Sequence, residues 1–293
     1  MKKFVNIIKL MRPKHYIKNL LIFVCVFFDR DLLSPSVLFR ALGGFCAFCL
    51  ISSVVYIFND IHDVEEDRLH EIKKNRPIAA GTISAHDGYI IAAILFVMAI
   101  ILNLFSAKSV LTSFVIIGLY FAVNLGYSLG LKEIPILDIV LLVSGFFLRV
   151  LYGAALVGSF VSSWVYLTVI SLSFYLGLGK RRNELKKMGS SGSTRRVLTF
   201  YSYSFLDKFM YLCLTLAITF YSLWSADAAI VDKYSTDKLV WTVPLVMIIM
   251  MKYSADIESG SYGDPVDGIT HDKLLLFLGF LYALILFGLI YLA

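Results

Sequence analysis

"FNDIHDVEEDRLHEIKKNRPIAAG", residues 58–81, begins where a long apolar run ends. Upstream, residues 38–58 carry Arg40 as their one charge. A run of about 20 such residues is long enough to cross a hydrocarbon core of about 30 Å. The quoted stretch therefore takes the chain from a spanning helix into a cluster of acids and then of bases. Asn59, Asp63 and Asp67 are spaced i, i+4, i+8, and Asp60 precedes Asp63 by three. On a helix these spacings keep the oxygen ligands on one face. Carboxylate and amide oxygens suit Mg²⁺, which takes one or two protein carboxylates and leaves its other positions to water and phosphates. Arg68, Lys73, Lys74 and Arg76 follow, and they suit an anion bridged by such a metal. A solvated helix end with i,i+4 charge pairs accounts for the same residues, and spacing alone leaves both readings open.

The rest of the 293-residue chain is mostly apolar, with 59% hydrophobic and 16% charged residues and a mean hydropathy of +0.79. Nine candidate spans follow: 17–33, 38–58, 88–106, 110–129, 135–157, 162–179, 205–226, 238–252 and 273–292. This predicts an all-α polytopic membrane protein, a single integral-membrane domain over residues 1–293. The runs are continuous, which excludes the alternating pattern of a β-barrel. The N-terminal stretch reads as an anchor, because Arg12, Lys14 and Lys18 interrupt it and no small-residue cleavage site follows. Polar material falls in connections 59–87, 130–135, 180–204 and 253–272. With a cytoplasmic N-terminus, 20 of the 27 Lys and Arg lie on the cytoplasmic side and five outside, as the positive-inside rule expects. The net charge of +6 is then a mark of topology and of anionic ligands in those loops, with no nucleic-acid partner. Cys25, Cys46, Cys49 and Cys213 all lie in apolar runs and read as free thiols. The five histidines lack metal-ligand spacing.

Three further segments could carry chemistry. "RPKHYIKN" (12–19) places Lys14 and Lys18 at i, i+4, with Asn19 next, where the first span begins. Plain positive-inside anchoring explains it as well. "YSLGLKEIPILDIVLLVSGFFLRVLYGA" (127–154) contains Tyr127, Lys132, Asp138 and Arg149. Asp138 and Arg149 are eleven apart, nearly on one helix face. Arg149 lies well inside an apolar span, where a charge is expensive and faces a cavity or a partner. Either a functional role or a structural Asp–Arg or Arg–carbonyl contact fits. "GLGKRRNELKKMGSSGSTRR" (177–196) offers Lys180 and Glu184 as i, i+4 partners, and Arg181 as a planar fork for phosphate oxygens. A basic loop drawn to anionic lipid accounts for its later bases. The last polar connection is acidic, with Asp256, Glu258, Asp264, Asp267 and Asp272, and reads as a second metal site, a lid or an ordinary surface loop.

"NDIHDVEED" fits the NDxxDxxxD signature of the UbiA superfamily of intramembrane prenyltransferases, and the chain resembles that superfamily. The resemblance implies nine transmembrane helices around a central cavity open laterally to lipid. It also implies Mg²⁺ and a diphosphate at the motif, with Asn59, Asp63 and Asp67 as ligands and Asp60 supporting. Typical members carry a second acidic motif, DxxxD, after the sixth helix. Here "GKRRNELKK" stands in that place. The chain is similar instead to the decaprenyl-phosphate phosphoribosyltransferase branch. Five segments carry that likeness in order: "RPKHYIKN", "NDIHDVEEDRLHEIKKNRPIAAG", "LDIVLLVSGFFLRVLYG", "GKRRNEL" and "KYSADIESGSYGDPVDGITHDKLL".

The branch implies phosphoribosyl diphosphate as donor and polyprenyl phosphate as nucleophile, with membrane lipid around the chain. On this reading the catalytic candidates are Asp63, Asp67, Lys180 and Glu184. Lys14, Lys18, Asn19, Arg68, Lys74, Arg76, Tyr127, Lys132, Asp138, Arg149, Lys180 and Arg181 are the candidate substrate contacts. A bacterial-type inner membrane with the site on the cytoplasmic side is implied as well, and a homo-oligomer is compatible with it. Two other readings remain: a conventional prenyltransferase acting on an aromatic or tetrapyrrole acceptor, and a non-catalytic lipid transporter.

Overall fold

The computed structural model describes residues 2–29, 33–159, 161–188, 196–259 and 272–292. Among them there is no strand, and the helices gather into two compact units. The first comprises Met1–Leu131 and Leu148–Phe160, the second Lys132–Phe147 and Val161–Ala293.

The first unit opens with helix α1 (Lys2–Met11), a 3₁₀ helix (Pro13–Ile22) and the short α2 (Phe23–Phe28). The long α3 (Pro35–His62) follows, then α4 (Val64–Leu69), α5 (Ala85–Ser106) and α6 (Val110–Ser128). Helix α7 (Leu137–Val157) starts in the second unit and ends in the first. Pro35 opens α3 at its first turn, where a missing N–H costs nothing. Ser84 caps α5 by accepting the Asp87 backbone N–H at 3.0 Å. The core gathers Ile22, Phe48, Ile51, Val55, Tyr120, Tyr152 and Leu156. Close packing here rests on glycine: a Cβ on Gly153 would stand 2.1 Å from the Ile22 carbonyl oxygen, so only hydrogen lets α7 reach the 3₁₀ helix.

The second unit holds the first half of α7, then α8 (Ser163–Met188), α9 (Tyr203–Ala226) and α10 (Ala228–Tyr234). It ends with α11 (Val243–Ser259) and α12 (Lys273–Phe287), which finishes in a π turn, Gly288–Leu292. Its core is built from Tyr175, Leu178, Leu206, Met210, Tyr253 and Ile257. Trp164 Nε1 donates to Asp227 at 2.8 Å, joining the start of α8 to the end of α9.

Seven helices among the described residues are long and apolar enough to cross a membrane, so the chain is a multi-pass membrane protein. Nine were expected, and two of the candidates differ. The span at 17–33 begins as 3₁₀ helix and ends in the six-residue α2. A 3₁₀ run of that length is unusual, and tertiary packing holds it, with Asn19 fully buried. The span at 162–179 is the first part of the 26-residue α8, whose charged end lowers its mean hydropathy. For the same reason three polar connections are shorter than expected. Helices α3, α8 and α11 run on to His62, Met188 and Ser259; in α8 the added residues include Lys, Arg and Glu, which are good helix formers.

Candidate functional site

In the first unit the acidic motif sits where α3 passes into α4. The backbone keeps helical continuity: the Asp63 N–H donates to the Asn59 carbonyl and the Asp67 N–H to the Asp63 carbonyl, both at 2.9 Å. Asp60 and Asp67 are two helical turns apart and therefore share a face. Both are 1% exposed, while Asp63 is half-buried between them. Arg76 Nη1 joins the pair, donating to Asp67 Oδ2 at 2.5 Å and to Asp60 Oδ1 at 3.3 Å. Arg12 also donates to Asp60 Oδ1, and Lys73 Nζ lies 3.9 Å from Asp67 Oδ1. Two buried carboxylates side by side repel and resist leaving water, and these cations offset part of both penalties.

Arg12 reaches Asp60 from an unusual backbone. Its φ of 55° is left-handed, a region non-glycine residues enter rarely, and Pro13 follows it. Its guanidinium also lies 5.0 Å from the Tyr56 ring.

The expected ligand stack of Asn59, Asp63 and Asp67 takes a different form. Asn59 Oδ1 accepts from Ser128 Oγ at 2.5 Å, which turns it toward α6. Among the described residues no three His, Cys, Asp or Glu side chains converge as one metal-ligand set. The acids come instead as the pair Asp60 and Asp67. This arrangement still fits Mg²⁺: the donors are hard oxygens, two carboxylates suffice, and Asp60 Oδ2 is buried with no hydrogen-bond partner.

The first unit's other expected site residues fall into two groups. Lys14 and Lys74 are exposed, and Lys18 and Tyr127 are half-buried. Arg68 pairs with Glu65 at 2.8 Å and donates to the Ala79 carbonyl at 3.4 Å, on the surface. Asn19 and Arg149 belong to one buried network. Arg149 Nε donates to Asn19 Oδ1 at 2.7 Å and Nη2 to the Tyr120 hydroxyl at 3.1 Å. Its guanidinium stands 5.4 Å from the Phe48 ring and 5.0 Å from that of Tyr120. Asn19 Nδ2 donates onward to Cys49 Sγ at 3.2 Å.

The second unit carries its own cluster. Asp138 is fully buried and accepts from Arg181 Nε at 2.6 Å. Arg181 Nη1 donates to Glu184 Oε2, also at 2.6 Å. The Tyr201 hydroxyl donates to the other oxygen of Asp138 at 2.6 Å and accepts the Ile136 backbone N–H at 2.5 Å. Burial, followed by this hydrogen bond to Asp138, pushes the Tyr201 phenol up to about 12. Ile136 has a φ of 68°, a strained conformation for a β-branched residue.

The geometry bears on two expectations. The Arg181 fork faces two carboxylates of its own unit. The suggested Asp138–Arg149 contact does not form either: eleven residues along α7 are about 16 Å of rise, and each residue has its own partners. Lys132 and Lys180 are half-buried.

Two residues that sequence reasoning passed over have structural prominence. Arg12 is a partner of Asp60, and the Arg-Pro dipeptide at 12–13 was its one local signal. Arg182, 3% exposed, ties α8 to α9 and α11 through Asp207 at 3.0 Å and Glu258 at 2.5 Å. Nothing in "KRRNEL" tells that both arginines turn inward. Of the acidic connection, 260–271 lies outside the described residues, so Asp264 and Asp267 receive no account. At its edges Lys252 Nζ lies 2.5 Å from both Asp256 and Asp272, and holds the Asp272 carboxyl below the usual range.

The sequence profile of the UbiA prenyltransferase family matches residues 20–183. A Corynebacterium glutamicum protein named decaprenyl-phosphate phosphoribosyltransferase is 32% identical over 283 residues, covering 92% of this chain and 82% of its own. One of the same name from Mycolicibacterium smegmatis is 30% identical, covering 92% and 87%. Among solved structures, a UbiA homolog from Archaeoglobus fulgidus bound to GPP and Mg²⁺ superposes with a TM-score of 0.71 at 17% identity. That superposition covers 97% of this chain and 99% of that one, and it shows a shared fold.

Proposed function

Because the chain belongs to the UbiA prenyltransferase family, a family of membrane transferases, we propose that it transfers 5-phosphoribose from phosphoribosyl diphosphate to a polyprenyl phosphate, releasing diphosphate. The observation that carries this reading is the similarity, across 92% of the chain, to two transferases so named. In the step itself a lipid phosphate oxygen forms a bond to the anomeric carbon of ribose. The bond from that carbon to diphosphate breaks with inversion, and its electron pair leaves with the diphosphate. A phosphate monoester is already ionised near neutral pH, so no strong base is needed.

Asn59, Asp60, Asp63 and Asp67 would hold Mg²⁺, which when bound neutralises charge on a leaving diphosphate. Arg12, Lys73 and Arg76 surround the same carboxylates and supply cations to an arriving diphosphate. Lys14, Lys18, Lys74, Lys132 and Lys180 are the remaining bases we assign to phosphates, and Tyr127 to a substrate contact. Glu184 takes a ribose hydroxyl, and Arg181 with Asp138 fixes its position. Catalysis by this set is positioning and electrostatic stabilisation. We place the site on the cytoplasmic side of a bacterial inner membrane, since most of the bases would then lie inside.

The test is mass spectrometry of the lipid formed by purified protein from labelled phosphoribosyl diphosphate and polyprenyl phosphate. A phosphoribosylated lipid dependent on Mg²⁺ is expected. Prenylation of an aromatic acceptor, with no such lipid, would overturn the reading.

A further inference from the structure

Helix α1 carries one broad apolar arc, and its own unit covers part of it. Leu10 is fully buried, and Ile7 and Met11 pack with it against Val54 and Ile57 of α3. On the rest of the arc Phe4, Val5 and Ile8 are 68%, 48% and 40% exposed. Two exposed bases, Lys3 and Lys9, lie on the same short helix. Ten residues make a rod about 15 Å long, too short to cross a core of about 30 Å. Lys3 Nζ lies 3.9 Å from Asp87 in the first turn of the spanning helix α5. The left-handed Arg12 and Pro13 then turn the chain out of α1.

We propose that α1 is an interfacial helix, lying in the headgroup plane of an anionic lipid bilayer. Phe4, Val5 and Ile8 enter the acyl boundary, while Lys9 beside them meets lipid phosphates. An amphipathic helix with apolar residues on one side and lysines beside them binds such a surface through both terms. A second copy of the chain is a poorer occupant. Three side chains fall well short of a stable interface, and a two-fold pairing would bring like bases together. The proposal is independent of the reaction.

The experiment introduces Phe4→Trp into the full chain, reconstituted in phosphatidylcholine vesicles with or without phosphatidylglycerol. The lipids carry bromine near the glycerol end of the acyl chains. The signal is the emission gained over the native chain, which contributes Trp164, Trp224 and Trp241 as background. Brominated lipid should quench the new emission strongly and aqueous iodide weakly, and quenching should rise with phosphatidylglycerol. Lys9→Gln should shift the docked-to-undocked ratio about fivefold in anionic vesicles and leave it unchanged in neutral ones. Lys9→Arg should retain contact, which separates loss of charge from loss of fold. Emission quenched by iodide and not by lipid overturns the proposal, as does emission shielded from both, which means a protein partner. Equal lipid quenching in neutral and anionic vesicles overturns its electrostatic half.

Discussion

Arg76 holds Asp60 and Asp67 together through one nitrogen, at 3.3 and 2.5 Å. The carboxylates are buried and the arginine is 27% exposed, so solvent screens the bridge on one side. Removing it leaves two buried anions with fewer counter-ions. Arg76→Gln should lower the metal-free protein's stability by about 1–3 kcal/mol, read as a fall in thermal midpoint in detergent. Mn²⁺ or Mg²⁺ should recover much of that loss, because a divalent cation takes over the missing charge. Mn²⁺ binding followed by electron paramagnetic resonance should be tighter in the variant when no diphosphate is present. A variant insensitive to either ion would show that the acids do not hold a metal.

Asp63→Asn and Asp67→Asn address whether the motif performs chemistry at all. Under the proposed function each should abolish nearly all release of diphosphate while the protein remains folded and membrane-inserted. A lipid transporter without catalysis would keep its activity in both variants. Radiolabelled product and circular dichroism of the same preparations separate the two.

The pairing of Asp60 with Asp67 was legible in principle. Seven residues return a helix to within about 20° of the same face, whereas Asn59 and Asp67 drift apart by about 80°. The i, i+4, i+8 pattern groups Asn59, Asp63 and Asp67 and leaves Asp60 in a supporting place, because it passes over that drift. The spanning helices were legible because long apolar runs have few alternatives in a membrane. Their ends were not, since Arg181, Arg182 and Glu184 prolong α8 by propensity and by buried pairing that no local window contains. The partners of Arg181 and Arg149 depend on long-range packing, with Asp138 43 residues from the one and Asn19 130 from the other.

Ile136 and Tyr201 form a strained pair: the tyrosine accepts the N–H of a left-handed isoleucine and donates to Asp138. Ile136 is 54% exposed, so Ile136→Gly removes strain and little packing. It should stabilise the protein by about 1 kcal/mol. Tyr201→Phe should destabilise by about 2 kcal/mol, leaving an N–H and a buried carboxylate oxygen unserved. Thermal unfolding of both variants checks the two signs.

The Tyr201 phenol also sets an alkaline limit. Its folded value of about 12 lies above the ordinary 10.0, so the folded state holds the proton more tightly than the unfolded one. That contribution is complete below pH 10.0 and is lost as pH rises toward about 12. Stability of the native chain should therefore fall across this window, and Tyr201→Phe should flatten that part of the curve. Phenolate absorbance should show one fewer late-titrating tyrosine in the variant than in the native chain.

Among its partners Arg149 serves Asn19 through Nε and Tyr120 through Nη2, in different directions, with Phe48 against its face. Lysine has one compact charge and no fork, so Arg149→Lys should lose about 2 kcal/mol by stranding at least one partner. Apolar replacement of both Arg149 and Asn19 should cost less than the two single changes added together, with a coupling of about 0.5–3 kcal/mol in a double-mutant cycle. The same cycle, read on turnover, separates scaffold from substrate contact. If the network serves packing alone, the apolar double variant regains activity along with stability. If Arg149 meets the lipid phosphate, stability returns while turnover stays lost, and the Michaelis constant for polyprenyl phosphate in Arg149→Lys rises more than that for phosphoribosyl diphosphate.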